Sequence, residues 1–460
     1  MTITPADLHV AIVGAGPSGF YAAEALQKAA AGVRIDLFDR LPTPYGLVRG
    51  GVAPDHPKIK SVTRVFDRIA SQPGFRFFGH VTVGEDVTIE ELREYYDAVV
   101  LSYGAQTDRQ LGIPGEHLVG SHAATELVGW YNGHPDYIDC RFDLSQRAAA
   151  VIGLGNVAMD VTRILAQSTD VLATTDLAAH ALAALSDSRL ESIHVIGRRG
   201  PVQAACTTPE LRELGEIDGV DVIVDPRDLD LDPISAAYLA AVEDRTAEKN
   251  LELLRGWAAR GATGAKRSIV FHFNVSPVEL LGDRTAAGLR LVRNRLESDG
   301  LGGVRALPTD EFRTLPVGLV FRSVGYRGLE MPGLPFDARR GVIPNVSGRV
   351  VESPESATAV RGLYVAGWIK RGPQGVIGTN KSDAAETIDH LIADAATGRL
   401  GGGGGPTRMV DDLLAERGVR FVDWSDWQRL DREEQARGAP AGRPREKVTL
   451  VSEMLEIIGK

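Results

Sequence analysis

A chain of 460 residues, 43% of them apolar, is long enough to bury the cores of two or three domains. A net charge of -10 argues against nucleic acid as the main partner, and no apolar run reaches the length of a membrane span. The two cysteines, Cys140 and Cys206, cannot ligate an iron–sulfur cluster or form a C-x-x-C dithiol centre; they argue against a disulfide scaffold and suit a reducing, cytoplasmic compartment. The first eight residues show neither the basic nor the apolar region of a signal peptide.

Residues 9–13 read as a short buried strand, and Gly14-Ala15-Gly16-Pro17-Ser18-Gly19 follows at once. Residues 20–31 read as an Ala-rich helix and residues 33–38 as a second strand ending at Asp39. This is G-x-G-x-x-G in a strand–turn–helix–strand setting, with an acid about 20 residues past the last glycine. Gly14 permits the tight turn, Gly16 lets backbone approach a pyrophosphate, and Gly19 packs helix on strand. Asp39 is placed to accept from a ribose hydroxyl.

Residues 41–60, L-P-T-P-Y-G-L-V-R-G-G-V-A-P-D-H-P-K-I-K, hold four prolines and three glycines, which predicts a loop without regular structure. An ordered loop of that length is usually functional. It leaves the strand end that would hold the ribose, so it is expected to run along the ligand. His56 within it is either a catalytic group or a loop histidine bonded to backbone.

Residues 97–105 form another buried strand ending in small residues, and residues 319–326 are nearly its twin. The pair is read as two crossings between domains. Between them lies a second nucleotide motif. Residues 150–152 form a strand, Gly153-Leu154-Gly155-Asn156-Val157-Ala158 is G-x-G-x-x-A, and residues 159–168 continue as a helix. Its second strand, residues 193–196, ends in Gly197-Arg198-Arg199 instead of an acid. Arginines there suit a ribose 2′-phosphate and so NADP(H) over NAD(H), the alternative being a solvated arginine pair. The separation of motif and arginines is long, and residues 171–190 read as an insertion in the crossover.

Glu210 follows a Thr-Thr-Pro helix start, where a first-turn carboxylate is favoured by the helix dipole. Residues 233–260 read as mostly helical, and residues 269–273 and 289–296 as a small β-meander. Residues 363–366 form a buried strand before Gly367, and W-I-K-R-G-P-Q-G-V-I-G-T-N occupies residues 368–380. Its glycines make either a tight turn or a bare surface for a flat ligand, and Thr379 and Asn380 fall near a helix start that attracts anions. Residues 401–405 are five glycines, read as a linker. Two helices are expected in the tail, at residues 409–417 and 448–458, with no visible chemistry.

With these motifs in hand, the chain resembles the adrenodoxin reductase family. These are ferredoxin–NADP reductases of the glutathione-reductase-like structural type, here of the bacterial FprA type. The proline loop, Gly197-Arg198-Arg199-Gly200-Pro201 and the segment from Gly367 to Asn380 carry the match. The resemblance implies an α/β protein with two Rossmann-like domains. An FAD domain at residues 1–107 and 322–460 would be interrupted by an NADP domain at residues 108–321. It implies hydride transfer between NADP(H) and FAD and single electrons to or from a ferredoxin-type iron–sulfur protein. By position, Gly14, Gly16, Pro17, Ser18, Gly19, Asp39, Leu47, Val83, Gly367, Trp368, Gly375, Val376 and Ile377 would hold FAD. Asp39 stands where many relatives have Glu, and Trp368 stands where other two-nucleotide flavoenzymes have Asp. Arg109, Leu154, Gly155, Asn156, Val157, Arg198, Arg199, Glu210 and Gly375 would contact NADP, with His56 and Glu210 near the flavin as the catalytic pair.

Other readings remain open. One is an NADPH-dependent flavin reductase of small acceptors, or an electron-feeding subunit of a larger complex. Another is a nucleotide-sensing module without turnover. Two windows run against the acidic balance. Arg40, Arg49, Lys58, Lys60, Arg64 and Arg68 outnumber Asp55 and Asp67, and Arg245, Lys249, Arg255, Arg260, Lys266 and Arg267 outnumber Glu248 and Glu252. These are ordinary solvated faces or a docking surface for an acidic ferredoxin, with Lys58, Lys60, Arg245 and Lys249 as its anchors.

Overall fold

A computed structural model describes residues 8–300, 303–400 and 409–460. The five-glycine segment at residues 401–405 lies outside them. The chain divides into two compact units, one of Met1–Val52, His56–Thr107 and Gly325–Lys460, the other of Ala53–Asp55 and Asp108–Val324. No helix among the described residues is long and apolar enough to cross a membrane.

The first unit is built on a seven-stranded sheet among the described residues. Ala359–Val365, Ala98–Leu101, His9–Val13, Arg34–Asp39 and Phe75–Gly79 run parallel in that order, and Asn345–Val346 and Arg349–Val351 add an antiparallel edge. His9–Val13 is buried at every position, as a central parallel strand covered on both faces must be. The helix after it, Pro17–Ala29, starts earlier than residue 20. Pro17 brings a preset φ to the first turn, where its missing N–H costs no bond.

The second unit carries a six-stranded parallel sheet in the order Ser121–Ala123, Leu319–Arg322, Ala148–Ile152, Ser192–Ile196, Arg267–His272, Val220–Val224. Beside it in the same unit stands an antiparallel meander of Val275–Gly282, Ala286–Ser298 and Val304–Leu315. Residues 269–273 were expected in that meander; instead Arg267–His272 is an inner strand of the parallel sheet, with Ile269 and Phe271 buried between neighbours on both sides.

The twin strands have different addresses. Ala98–Leu101 lies in the first sheet, and Leu319–Arg322 belongs wholly to the second, so the unit boundary falls after Val324 and not at Arg322. Each twin leads out through a glycine of positive φ, Gly104 at +77° and Gly325 at +108°. Two short helices, Thr169–Leu172 and Ala179–Ser186, overlap the crossover at residues 171–190 and seat Leu172, Ala181 and Leu185 in the core, with Leu177 buried between them.

Two sequence readings need correction. The proline loop is not wholly irregular: Leu47–Gly50 and Pro57–Lys60 are single helical turns, the second begun by Pro57. The tail contains a further helix, Trp424–Gly438, between the two that were expected. It starts on a capping box of Asp423 and Asp426 and buries Trp427 and Leu430 in the core of the first unit.

Candidate functional site

In the first unit the glycine turn is closed on several sides. Gly14 has φ +106°, and a Cβ there would lie 2.7 Å from the Ser102 carbonyl oxygen. A Cβ on Gly19 would strike the Gly14 carbonyl. Asp39 reaches back over this turn: its carboxylate accepts from the Ala15 amide at 2.8 Å and from the Leu41 amide at 3.0 Å. Burial raises the Asp39 carboxyl above its ordinary value, against the Leu41 and Ala15 amides and Arg40. Its remaining lone pairs suit the hydroxyl donors of a ribose.

The segment after Ala359–Val365 meets the same turn. Gly367 has φ +78°, and a Cβ there would strike the Ser18 hydroxyl. The Ser18 hydroxyl donates to Asn380 Oδ1 at 3.0 Å, and Arg371 Nη2 donates to that oxygen at 2.8 Å. Lys370, buried, pairs with Asp383 at 3.1 Å and Glu386 at 2.6 Å, which fixes the short helix Trp368–Arg371 on the long helix Thr379–Ala396. The amides of Thr379, Asn380 and Lys381 already bond to the Val376, Ile377 and Gly378 carbonyls, so the helix offers its dipole and not these N–H groups. Trp368 lies 5.3 Å from the Tyr326 ring, and its buried indole N–H has no hydrogen-bond partner among the described residues. Gly375 and Val376 are exposed and Ile377 is half-buried.

Leu47 is 38% exposed on its helical turn, and Val83 is buried in the core of the first unit. His56 stands before Pro57–Lys60, where its carbonyl accepts from the Ile59 and Lys60 amides.

In the second unit Gly153 has φ +141°, and a Cβ there would strike the Ser323 carbonyl. Gly155 has open space where a Cβ would stand. Leu154 accepts from the Ala205 amide, Asn156 Oδ1 accepts from the Thr207 amide at 2.8 Å, and Val157 packs at the rim of the core. These bonds tie the second turn to the start of the helix Thr208–Leu214, which carries Glu210. Arg198 is exposed and Arg199 half-buried; burial, then the neighbouring Arg198, lowers the Arg199 guanidinium below its ordinary value. Asn294 Nδ2 donates to the Arg198 carbonyl at 2.8 Å, and Asn274 N–H donates to the Arg199 carbonyl at 3.1 Å. Two adjacent cations on a pinned backbone have the charge and donor groups to suit a dianionic phosphate. Arg109 is exposed.

Sequence reasoning missed Arg163. It is 3% exposed on the helix Asn156–Ala166 and meets four carboxylates of its unit. Asp55 takes two of its N–H groups at 2.7 and 3.0 Å, Asp160 lies at 2.6 Å, and Glu210 and Glu213 each lie at 3.2 Å. Against burial, which pulls the other way, Asp55, Asp160 and Glu210 raise the guanidinium further above its ordinary value. Glu210 is therefore more than a dipole-favoured first-turn acid: it is 8% exposed and held by a buried cation.

Two nucleotide turns on two Rossmann-like sheets define a two-domain pyridine-nucleotide oxidoreductase. The family model described as pyridine nucleotide-disulphide oxidoreductase matches residues 8–213. The NADPH-ferredoxin reductase FprA of Mycobacterium tuberculosis is 50% identical over 98% of this chain and 98% of its own length. The mitochondrial NADPH:adrenodoxin oxidoreductase of Salvelinus fontinalis is 43% identical over 99% and 92%. A solved structure of Mycobacterium tuberculosis FprA in complex with NADPH is similar at a TM-score of 0.92 and 49% identity, covering 98% of this chain and 100% of that one. The chain belongs to the adrenodoxin reductase-like family of NADPH-ferredoxin reductases.

The residues present fit the two cofactors of that family. At the first turn the fit rests on the closed glycine positions, the spare acceptor capacity of Asp39 and the unpartnered Trp368 N–H. At the second it rests on the open Gly155 and the arginine pair.

Proposed function

We infer that this protein is an FAD-dependent NADP(H)–ferredoxin reductase, an enzyme that moves reducing equivalents between NADP(H) and a ferredoxin-type iron–sulfur protein. The observation that carries the inference is identity of 50% along essentially the whole length of an NADPH-ferredoxin reductase, with both nucleotide turns intact. FAD, when bound, supplies the exchange between two-electron hydride chemistry and single electrons. The chain's own residues bind and align. In this reading Gly14, Gly16, Pro17, Ser18, Gly19 and Asp39 hold the pyrophosphate and ribose of FAD. Leu47, Val83, Gly367, Trp368, Gly375, Val376 and Ile377 line its ring system. Leu154, Gly155, Asn156 and Val157 take the NADP pyrophosphate, with Arg109 beside it and Arg198 and Arg199 on the 2′-phosphate. His56 and Glu210 align the nicotinamide or relay a proton, and Gly375 offers backbone to both cofactors.

For the iron–sulfur partner we favour the cations that face solvent. Lys58 is exposed in the first unit, and Lys60, two residues on, is half-buried. Arg245 and Lys249 stand one helical turn apart on Arg245–Arg260, exposed, with Arg245 beside the equally exposed Glu243. Arg49 and Arg267 leave this group, because the first pairs with buried Glu434 and the second donates to the Ala166 and Gln167 carbonyls. A reducing, cytoplasmic setting agrees with two free cysteines.

The test is a yellow protein with one non-covalent FAD, bleached by NADPH in stopped flow and re-oxidised faster by ferredoxin than by quinones. Preference for quinones would favour the small-acceptor reductase, and absence of bleaching would favour the sensor module.

A further inference from the structure

The tail helix Trp424–Gly438 carries a carboxylate that the proposed reaction does not use. Glu434 is 0% exposed. Arg49 of the proline loop donates both terminal nitrogens to it, Nη1 to Oε2 at 2.8 Å and Nη2 to Oε1. Arg445 Nη1 reaches Oε2 at 3.2 Å, and the Val448 amide donates to Oε1 at 2.9 Å. Burial pushes the Glu434 carboxyl up, yet Arg49 and Arg445 hold it below its ordinary value, so it is an anion at neutral pH. A charge this deep is tolerated only with full pairing, and here every partner comes from the tail itself or from the loop.

The contacts continue inward. The Arg49 guanidinium lies over the Trp427 ring, 5.3 Å from its centre, and the Trp427 indole N–H donates to the Tyr45 hydroxyl at 3.3 Å. Lys447 Nζ donates to the Arg49 carbonyl at 3.3 Å, and the Tyr45 hydroxyl donates to Asp67. Tyr45 has φ +83°, an uncommon backbone for a bulky residue, which must be enforced by its surroundings. From that conformation its amide donates to the Ala15 carbonyl at 2.7 Å. Gly46 follows at φ +48°, so close to the glycine turn that a Cβ on it would lie 2.9 Å from Gly16 Cα. Ala15 and Gly16 are the middle of the first nucleotide turn.

We propose that the C-terminal tail is a clamp on the first nucleotide turn, with Glu434 as the positioning residue that holds Arg49, Tyr45 and Gly46 against the backbone facing FAD. The clamp rests on the reading that this turn binds FAD. It touches no reacting atom; it acts through the backbone it holds.

The experiment compares wild type with Glu434→Gln, which keeps shape and removes charge. Three measurements are made: the FAD dissociation constant of the apoprotein, the melting temperatures with and without FAD, and the affinity for adenosine 2′,5′-bisphosphate. The expected result is FAD binding weakened about tenfold, the order lost with one charged hydrogen-bonded group. The gain in melting temperature on adding FAD shrinks, and bisphosphate affinity stays unchanged because its site lies in the second unit. Arg437→Ala breaks only the exposed tail pairs with Glu433 and Glu453 and leaves FAD binding unchanged. If Glu434→Gln does not fold, Lys447→Met removes the bond to the Arg49 carbonyl and gives a smaller loss of FAD affinity in the same direction. Equal loss of melting temperature in both forms, with FAD affinity within twofold of wild type, would overturn the clamp and leave Glu434 as packing alone. A wild-type apoprotein that takes up no FAD would overturn the functional reading itself, and the clamp with it.

Discussion

At Arg163 one buried guanidinium meets four carboxylates. Replacing it by Met takes a buried cation away from the largely buried Asp55, Asp160 and Glu210 and from the more exposed Glu213. Breaking a buried pair costs about 3–5 kcal/mol. Arg163→Met is expected to lose stability of that order. Urea midpoints of variant and wild type check this; a midpoint close to that of wild type would mean the cluster relaxes to solvent. Arg198 and Arg199 call for a different readout. Replacing both by Ala should raise KM for NADPH at least tenfold while kcat falls far less, because a 2′-phosphate contact remote from the reacting carbon is uniform binding. The NADH parameters should scarcely change. Wild type using both nucleotides equally well would remove the phosphate role from this pair.

At the scale of elements, a relay of side chains crosses the second sheet. Arg313 Nη2 donates to His272 Nδ1 at 2.9 Å, His272 Nε2 lies 3.0 Å from His194 Nδ1, and His194 Nε2 lies 3.2 Å from the Ser192 hydroxyl. With Arg313 able only to donate, both rings are neutral with the proton on Nε2. Burial, then Arg313, lowers His194 to about 4; burial, Arg313 and His194 lower His272 to about 3. Folded values below the ordinary one mean that the unfolded chain binds more protons from about pH 6.5 downward. The relay's contribution is therefore complete above about pH 6.5 and drains as pH falls toward about 3. His272→Gln should flatten this acid limb between pH 6.5 and 4 relative to wild type in thermal melts. Parallel curves would assign the acid limb to carboxylates.

The nucleotide turns were legible in the sequence because their constraints are local: Gly14 and Gly153 need positive φ within a strand–turn–helix unit of about thirty residues. Arg163 was not legible. With Asp160 three residues before it, it reads as a surface pair, and its other partners come from Asp55 and from Glu210 and Glu213, far along the chain. The helix Trp424–Gly438 had a readable capping box, but Glu434 occupies a core position one turn past Leu430 and breaks the apolar stripe. Arg267–His272 looked like meander because an inner parallel strand and an antiparallel one differ by neighbours, not by composition.

For the whole molecule, net charge is -10, yet Lys58, Arg245 and Lys249 face solvent. Steering by such groups is screened within about 8 Å at physiological salt. Ferredoxin reduction is expected to slow as ionic strength rises, while reduction of a small neutral acceptor stays level. Charge reversal at Arg245 and Lys249 should raise the ferredoxin KM and leave flavin bleaching by NADPH intact. A ferredoxin rate flat with salt would remove docking by these cations.

The order of strands in the first sheet bears on how the protein is born. Ala359–Val365 pairs with Ala98–Leu101, so this sheet cannot be completed until residue 365 is synthesised, and the helix Trp424–Gly438 packs on its unit later still. The second unit needs nothing beyond Val324. Domains generally fold as units as they emerge from the ribosome, and pairing across long separations is slow. The growing chain thus passes through a stage with one finished unit flanked by an open half-sheet whose inner strand edge, Ala98–Leu101, has lost nothing yet to a neighbour on one side. That half-made edge is where a chaperone would be needed most, and a chain released at Val324 should protect its second unit from protease while residues before Thr107 are cut.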